Sequence, residues 1–170
     1  MATIRSLLEN AASTPKAYSN DWAIYAEMLR DPAFSDYRFI WSFNKPRRFF
    51  YLQRRSPRTL VIRQYGRVYE TALAMSGTWI TNYRMLDHLI PRPGQNYVQC
   101  WHGTPLKRLG CDLQIQGNAM NTLGEIHRMY RQDSRRFRWL LSPSPFATEK
   151  FITAWDLAAQ GKTDCVIEEG

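Results

Sequence analysis

The sequence predicts an α/β domain, a Rossmann-like layered arrangement with a mainly parallel sheet. Two observations carry this expectation. Short runs of β-branched and aromatic residues alternate with segments of helical apolar spacing, the pattern that β-α units produce. The chain is also long enough, at 170 residues and 44% hydrophobic content, to bury one core, and it shows no internal repeat or low-complexity tract.

Residues 1–18 read as an irregular segment without an apolar strand, which leaves 19–170 as the domain. Ser19-Asn20-Asp21 offers an N-cap to a helix over Trp22–Arg30, with Ile24, Tyr25, Met28 and Leu29 on one face and Asp31-Pro32 as its stop. Tyr37–Phe43 and Thr59–Arg63 read as strands, and Val68–Met75 as a helix bounded by Gly66 and Gly77. Trp79–Thr81 is a third strand, followed by a loop carrying Pro91, Pro93 and Gly94. Tyr97–Trp101 is the fourth, and a helix is expected just beyond it with Pro105 at its first position. Met120–Arg136 reads as helix, Trp139–Leu141 as strand, Pro145–Trp155 as helix and Cys165–Ile167 as a last strand. Ser142 and Ser144 fit capping of the helix at Pro145, since no His and Asp pattern accompanies them.

The net charge of +8 comes mainly from arginine, whose planar fork suits phosphate and carboxylate. Nucleic acid, anionic lipid headgroups and a polyol-phosphate polymer are all compatible partners. The stretch Asn44–Arg58 is the most linker-like, with two prolines and five arginines. Its centre, Phe49-Phe50-Tyr51 beside Arg47, Arg48, Arg54 and Arg55, predicts contact with an anionic membrane surface. An exposed helix with one buried aromatic stripe is the alternative. No apolar run approaches the roughly 18–20 residues that cross a bilayer, and the N-terminus lacks a secretory signal's apolar core. A cytosolic or peripherally membrane-held product is therefore expected. Cys100, Cys111 and Cys165 form no CxxC pair, so reduced thiols are expected rather than a disulfide framework or zinc site. No P-loop, GxGxxG or metal-spaced cluster occurs, and no cofactor or metal is expected.

The most informative stretch is Val98-Gln-Cys-Trp-His-Gly-Thr-Pro-Leu-Lys-Arg-Leu-Gly110. It sets His102 where a strand ends, with Gly103 allowing close backbone approach. In open α/β sheets ligands sit outside the carboxyl ends of the strands, where a histidine can take a proton near neutral pH. The bland alternative is a half-buried histidine bonded to a carbonyl. Asn82 and Arg84 follow an adjacent strand and can reach the same cleft. Lys107 and Arg108, on the expected helix, are placed to hold phosphate. His88 and His127 are expected in surface or capping roles.

The block Gln99–Gly110 resembles the most distinctive segment of the CDP-glycerol glycerophosphotransferase family, which primes and polymerises teichoic acids, with Cys100 where Thr or another small residue is more usual. Asp31–Trp41, Thr78–Arg84 and Trp139–Glu149 resemble further segments of that family in the same order. The resemblance implies the N-terminal half of a GT-B glycosyltransferase-like fold. It implies His102 as general base on the acceptor hydroxyl, with Gly103, Thr104, Lys107, Arg108, Asn82 and Arg84 around the substrate. It further implies a CDP-glycerol (or CDP-ribitol) donor held by a second domain that this chain does not contain. The acceptor is then a lipid-linked glycerol-phosphate chain, and the location is peripheral, at the cytoplasmic face of the plasma membrane. Nucleic acid is not an expected partner under this reading. The competing reading is a small basic protein that binds nucleic acid or membrane without catalysis.

Overall fold

The computed structural model describes residues 6–10, 20–114 and 121–168, and for 6–10 the backbone alone. Where the sequence leads one to expect a single domain over 19–170, the chain gathers into two compact units. One comprises residues 1–83 and 91–102, the other 84–90 and 103–170.

The first unit is a parallel sheet with its helices in the crossovers. Its strands are β1 (Ser6–Asn10), β2 (Arg38–Phe43), β3 (Thr59–Arg63), β4 (Thr78–Thr81) and β5 (Asn96–Gln99), in the order β3-β2-β1-β4-β5. Strand β1 overturns the expectation of an irregular segment over residues 1–18. It is the central strand, pairing Leu8 with Ile40 of β2 on one side and with Trp79 of β4 on the other. A five-residue strand with two leucines shows too little periodicity to be read alone; two neighbouring ladders define it.

Helix α1 (Asn20–Arg30) connects β1 to β2. It ends where the Arg58 guanidinium caps it, donating to the Leu29 carbonyl at 3.1 Å. The segment expected as linker or exposed helix forms a 3₁₀ turn (Pro46–Phe49) and α2 (Tyr51–Arg55). Helix α3 (Tyr69–Met75) follows β3. Phe39, Trp41 and Phe43 bury one face of strand β2, and on the other face Ser42 is buried and Ile40 half-buried, as befits a strand between two parallel neighbours. Tyr25 of α1 meets Phe39 and Trp41 edge-on at 5.3 and 5.4 Å, and Phe49 stacks on Phe43 at 3.9 Å.

The second unit contains α4 (Leu123–Arg136), β6 (Trp139–Ser142), α5 (Pro145–Ala154) and β7 (Val166–Glu168), with β6 parallel to β7. Helix α4 begins at Leu123 rather than Met120, which lies outside the described residues. Thr122 sets that start through a capping box with Glu125. Ser144 caps α5, accepting from the Ala147 N–H at 3.2 Å, as its sequence position implied. Trp155, fully buried, packs against Phe151 and Tyr130.

Candidate functional site

Because β1 to β5 run parallel, the residues that follow each strand gather at one edge of the sheet. Asn82 follows β4 and His102 lies just past β5. Strand β5 ends at Gln99, two residues short of the expected Trp101, although the Cys100 N–H still donates to the Thr81 carbonyl at 2.7 Å. Trp101 then turns the chain with φ of 51°, a left-handed conformation that a bulky side chain rarely adopts and that costs about 1–3 kcal/mol.

Neighbouring side chains hold that turn. The Gln99 side chain is fully buried. Its Oε1 accepts from the Trp101 N–H at 2.9 Å, while its Nε2 donates to the Tyr83 carbonyl and the Tyr97 hydroxyl, each at 3.1 Å. The Thr81 hydroxyl donates to the same Tyr83 carbonyl at 2.9 Å. Asn20 secures the other side, donating to the Cys100 carbonyl at 3.3 Å. Burial drives the Tyr83 phenol far above its ordinary range, so it stays neutral inside this network.

The result is an exposed imidazole with a defined tautomer. His102 Nδ1 lies 2.9 Å from the Asn82 main-chain oxygen. A carbonyl can only accept, so Nδ1 carries the hydrogen and Nε2 of the neutral ring keeps a free lone pair. The ring rests against the Trp101 indole, centroids 4.2 Å apart. The Asn82 side chain points elsewhere, donating to the buried Asp21 carboxylate at 3.3 Å. Asp21 thus braces the loop whose carbonyl orients His102. Sequence reasoning noted Asp21 only as part of a helix cap and gave Gln99 no role. The signal for Asp21 was available: a carboxylate at the start of a helix that crosses over the carboxyl edge of the sheet.

Gly103, Thr104, Lys107, Arg108 and Arg84 belong to the second unit. The helix expected beyond His102 does not form. Residues 103–109 are irregular and run into a 3₁₀ turn at Gly110–Asp112. Gly103 (φ 149°) and Gly110 (φ 54°) bracket the segment with non-helical backbone, and Pro105 disfavours helical geometry at Thr104. Lys107 and Arg108 therefore have no helix dipole behind them. They line an open cavity of about 590 Å³, together with Pro105, Leu106, Phe146 and Lys150. Leu106 is 92% exposed, and the Lys150 ammonium sits 5.4 Å from the Phe146 ring centre. Lys150 and Phe146 were not singled out from the sequence, since neither belongs to a motif. Arg84 is engaged, 2.9 Å from Asp87 and 3.1 Å from the Met129 sulfur.

Of the membrane candidates, Arg47, Arg48, Arg54 and Arg55 are all exposed, with Phe49 and Leu52 buried beneath them and Phe50 and Tyr51 45% and 43% exposed. Arg55 lies over the rings of Trp22 and Tyr51. His127 is tied to the Leu113 carbonyl at 3.1 Å. The three cysteines are free thiols, and burial pushes those of Cys111 and Cys165 upward.

The sequence profile of the CDP-Glycerol:Poly(glycerophosphate) glycerophosphotransferase family matches residues 8–164. The teichoic acid poly(glycerol phosphate) polymerase of Staphylococcus epidermidis is 30% identical over 128 residues, covering 72% of this chain and 16% of that protein. The teichoic acid glycerol-phosphate transferase of Staphylococcus aureus is 27% identical over 155 residues, 91% of this chain and 38% of that protein. Among solved structures, a variant of the wall teichoic acid polymerase TagF superposes with a TM-score of 0.80 at 24% identity, covering 99% of this chain and 39% of that one. A TagF variant soaked with CDPG aligns with the same score and covers 38% of that chain. The chain thus spans well under half the length of these relatives, and the fold it shares with TagF is α/β with a parallel sheet.

Proposed function

The chain belongs to the CDP-glycerol:poly(glycerophosphate) glycerophosphotransferase family, and from that premise we propose that it forms the acceptor side of glycerol-phosphate transfer in teichoic acid or related envelope polymer synthesis. The observation that carries the proposal is the hydrogen bond from His102 Nδ1 to the Asn82 carbonyl, which leaves Nε2 free to accept a proton.

In this reading Nε2 removes the proton from the terminal hydroxyl of a lipid-linked polyol-phosphate acceptor as its oxygen attacks the glycerol-bearing phosphorus of CDP-glycerol, or of the ribitol analogue. The bond from that phosphorus to the bridging oxygen breaks, and CMP departs with the electron pair. The imidazolium formed stays oriented, because Nδ1–H donates to the same carbonyl in both protonation states. Within the second unit, Lys107, Arg108 and Lys150 line one cavity and offer positive charge for phosphate. The competing reading, a non-catalytic nucleic-acid protein, draws no support from the relatives.

The test places this chain in the corresponding region of a curated relative and measures CMP release with a lipid-linked acceptor. His102→Ala should lower turnover by about 10²–10⁴-fold with the fold retained, and His102→Gln should do no better, since an amide cannot take the proton. Near-normal turnover in either variant removes His102 from the mechanism.

The proposal extends to location. Among the described residues no helix is long and apolar enough to cross a membrane. Arg47, Arg48, Arg54 and Arg55, with the exposed rings of Phe50 and Tyr51, would hold the protein on an anionic surface at the cytoplasmic face, where a lipid-linked acceptor is presented.

A further inference from the structure

The sheet edge that carries His102 has a second feature at its other end. Beyond β2 and β3, Asn44, Arg63, Gln64, Tyr65, Gly66 and Arg67 line an open cavity of about 590 Å³. Its walls are firmly set. Gln64 is buried and donates from Nε2 to the Tyr83 hydroxyl. Tyr65 is held in the left-handed region at φ of 55°, its ring edge-on to Tyr69 at 5.3 Å. The Gly66 N–H donates to the Arg63 carbonyl at 3.2 Å, and the Gly66 carbonyl accepts from Tyr69 at 2.9 Å. Onto this platform project two exposed guanidiniums, Arg63 and Arg67, neither in an ion pair among the described residues. The surrounding sequence is strongly basic: from Tyr37 to Tyr69 it carries nine Arg and Lys and no Asp or Glu, with Glu70 the next residue, in the first turn of α3.

Two unpaired arginine forks beside amide side chains are a phosphate-binding chemistry. The cavity is too far from His102 to hold the reacting phosphorus. Four strand spacings separate β3 from β5, so the two ends of the edge lie roughly 20 Å apart. A linear polyanion with its terminal hydroxyl at His102 would lay an earlier phosphodiester in this pocket. A flat headgroup layer would reach such a concavity poorly.

We propose that this cavity is a distal acceptor subsite, in which Arg63 and Arg67 bind a phosphodiester several repeats behind the hydroxyl that His102 activates. It rests on the acceptor-side reading above and adds to it a dependence on acceptor length. Short acceptors reach His102 alone, and longer ones engage both ends of the edge.

The experiment is calorimetric titration of the 170-residue chain with soluble synthetic oligo(glycerol phosphate)s, one a single unit and one long enough to cross the sheet edge. The wild type should bind the long oligomer more tightly. Arg63→Gln with Arg67→Gln should weaken the long oligomer about tenfold and leave the single unit unchanged. Both side chains are exposed, so the unfolding midpoint should hold, and Arg63→Lys with Arg67→Lys should recover part of the loss. Unchanged long-oligomer binding in the glutamine variant overturns the subsite, as does an equal loss on the single unit. An equal loss on single-stranded DNA of matched charge also overturns it, by showing a generic polyanion surface. If the wild type binds neither oligomer, the acceptor-side reading itself fails.

Discussion

At the scale of single residues, the imidazole depends on a side chain that never touches it. Gln99 satisfies the Trp101 N–H, the Tyr83 carbonyl and the Tyr97 hydroxyl from a fully buried position. Each group it leaves unpaired would cost about 1–3 kcal/mol. Gln99→Leu should therefore lower stability by roughly that amount or more in urea unfolding. It should also release the left-handed turn at Trp101 and reduce turnover with little change in acceptor KM, because the histidine loses its orientation rather than its substrate. Wild-type unfolding with intact turnover would reduce Gln99 to a passive filler. That His102 is the reactive group was legible from its neighbours in the chain. That Gln99 and Asp21 support it was not, since the Tyr83 carbonyl that Gln99 holds lies 16 residues away and the Asn82 amide that Asp21 holds lies 61 away in sequence.

At the scale of elements, the segment after His102 shows how a local rule loses to packing. Pro105 after a strand reads as a helix start, yet the chain crosses instead to Gly110, which sits in left-handed geometry against α4 and α5. A Cβ built on Gly110 would overlap the Ala154 carbonyl oxygen and the Tyr130 ring. Gly110→Ala should consequently destabilise the second unit by about 3 kcal/mol or more, combining backbone strain with overpacking. Thermal unfolding measures it, and a loss below about 1 kcal/mol would show that the Tyr130 ring yields easily. Helix α5, by contrast, begins where Ser144 caps it, as the sequence led one to expect, while α4 starts behind the Thr122 capping box at Leu123, three residues after the expected Met120. Strand β1 lies at the other extreme, visible only once β2 and β4 flank it.

At the scale of the whole molecule, the charge of +8 is unevenly used. Arg58 and Arg136 are structural: the first donates to carbonyls at Phe34, Ser35 and Leu29, and the second pairs with the buried Asp133 at 2.8 Å. Arg47, Arg48 and Arg54 have no such tie among the described residues, and Arg55 rests on aromatic rings while remaining exposed. Sedimentation with vesicles containing anionic lipid should exceed that with neutral vesicles. It should fall steeply as salt shortens the screening length, and weaken by about 1 kcal/mol for each of the four arginines neutralised. Equal sedimentation with both vesicle types would exclude this face as a membrane contact.

The sequence alone determined the α/β class, the strands from β2 onward to within about two residues, the cap of α5, and His102 as the residue to test. Each of these depends on spacing within a few residues, through apolar period, capping hydrogen bonds or a turn glycine. Tertiary structure decided the central place of β1, the division into two units, the absence of a helix after His102, the tautomer that frees Nε2, and the arginine-lined cavity beyond β3. Those depend on hydrogen bonds and contacts between segments far apart in the chain. A parallel sheet places such segments side by side at one edge, and no local pattern in the sequence records which neighbours will meet there.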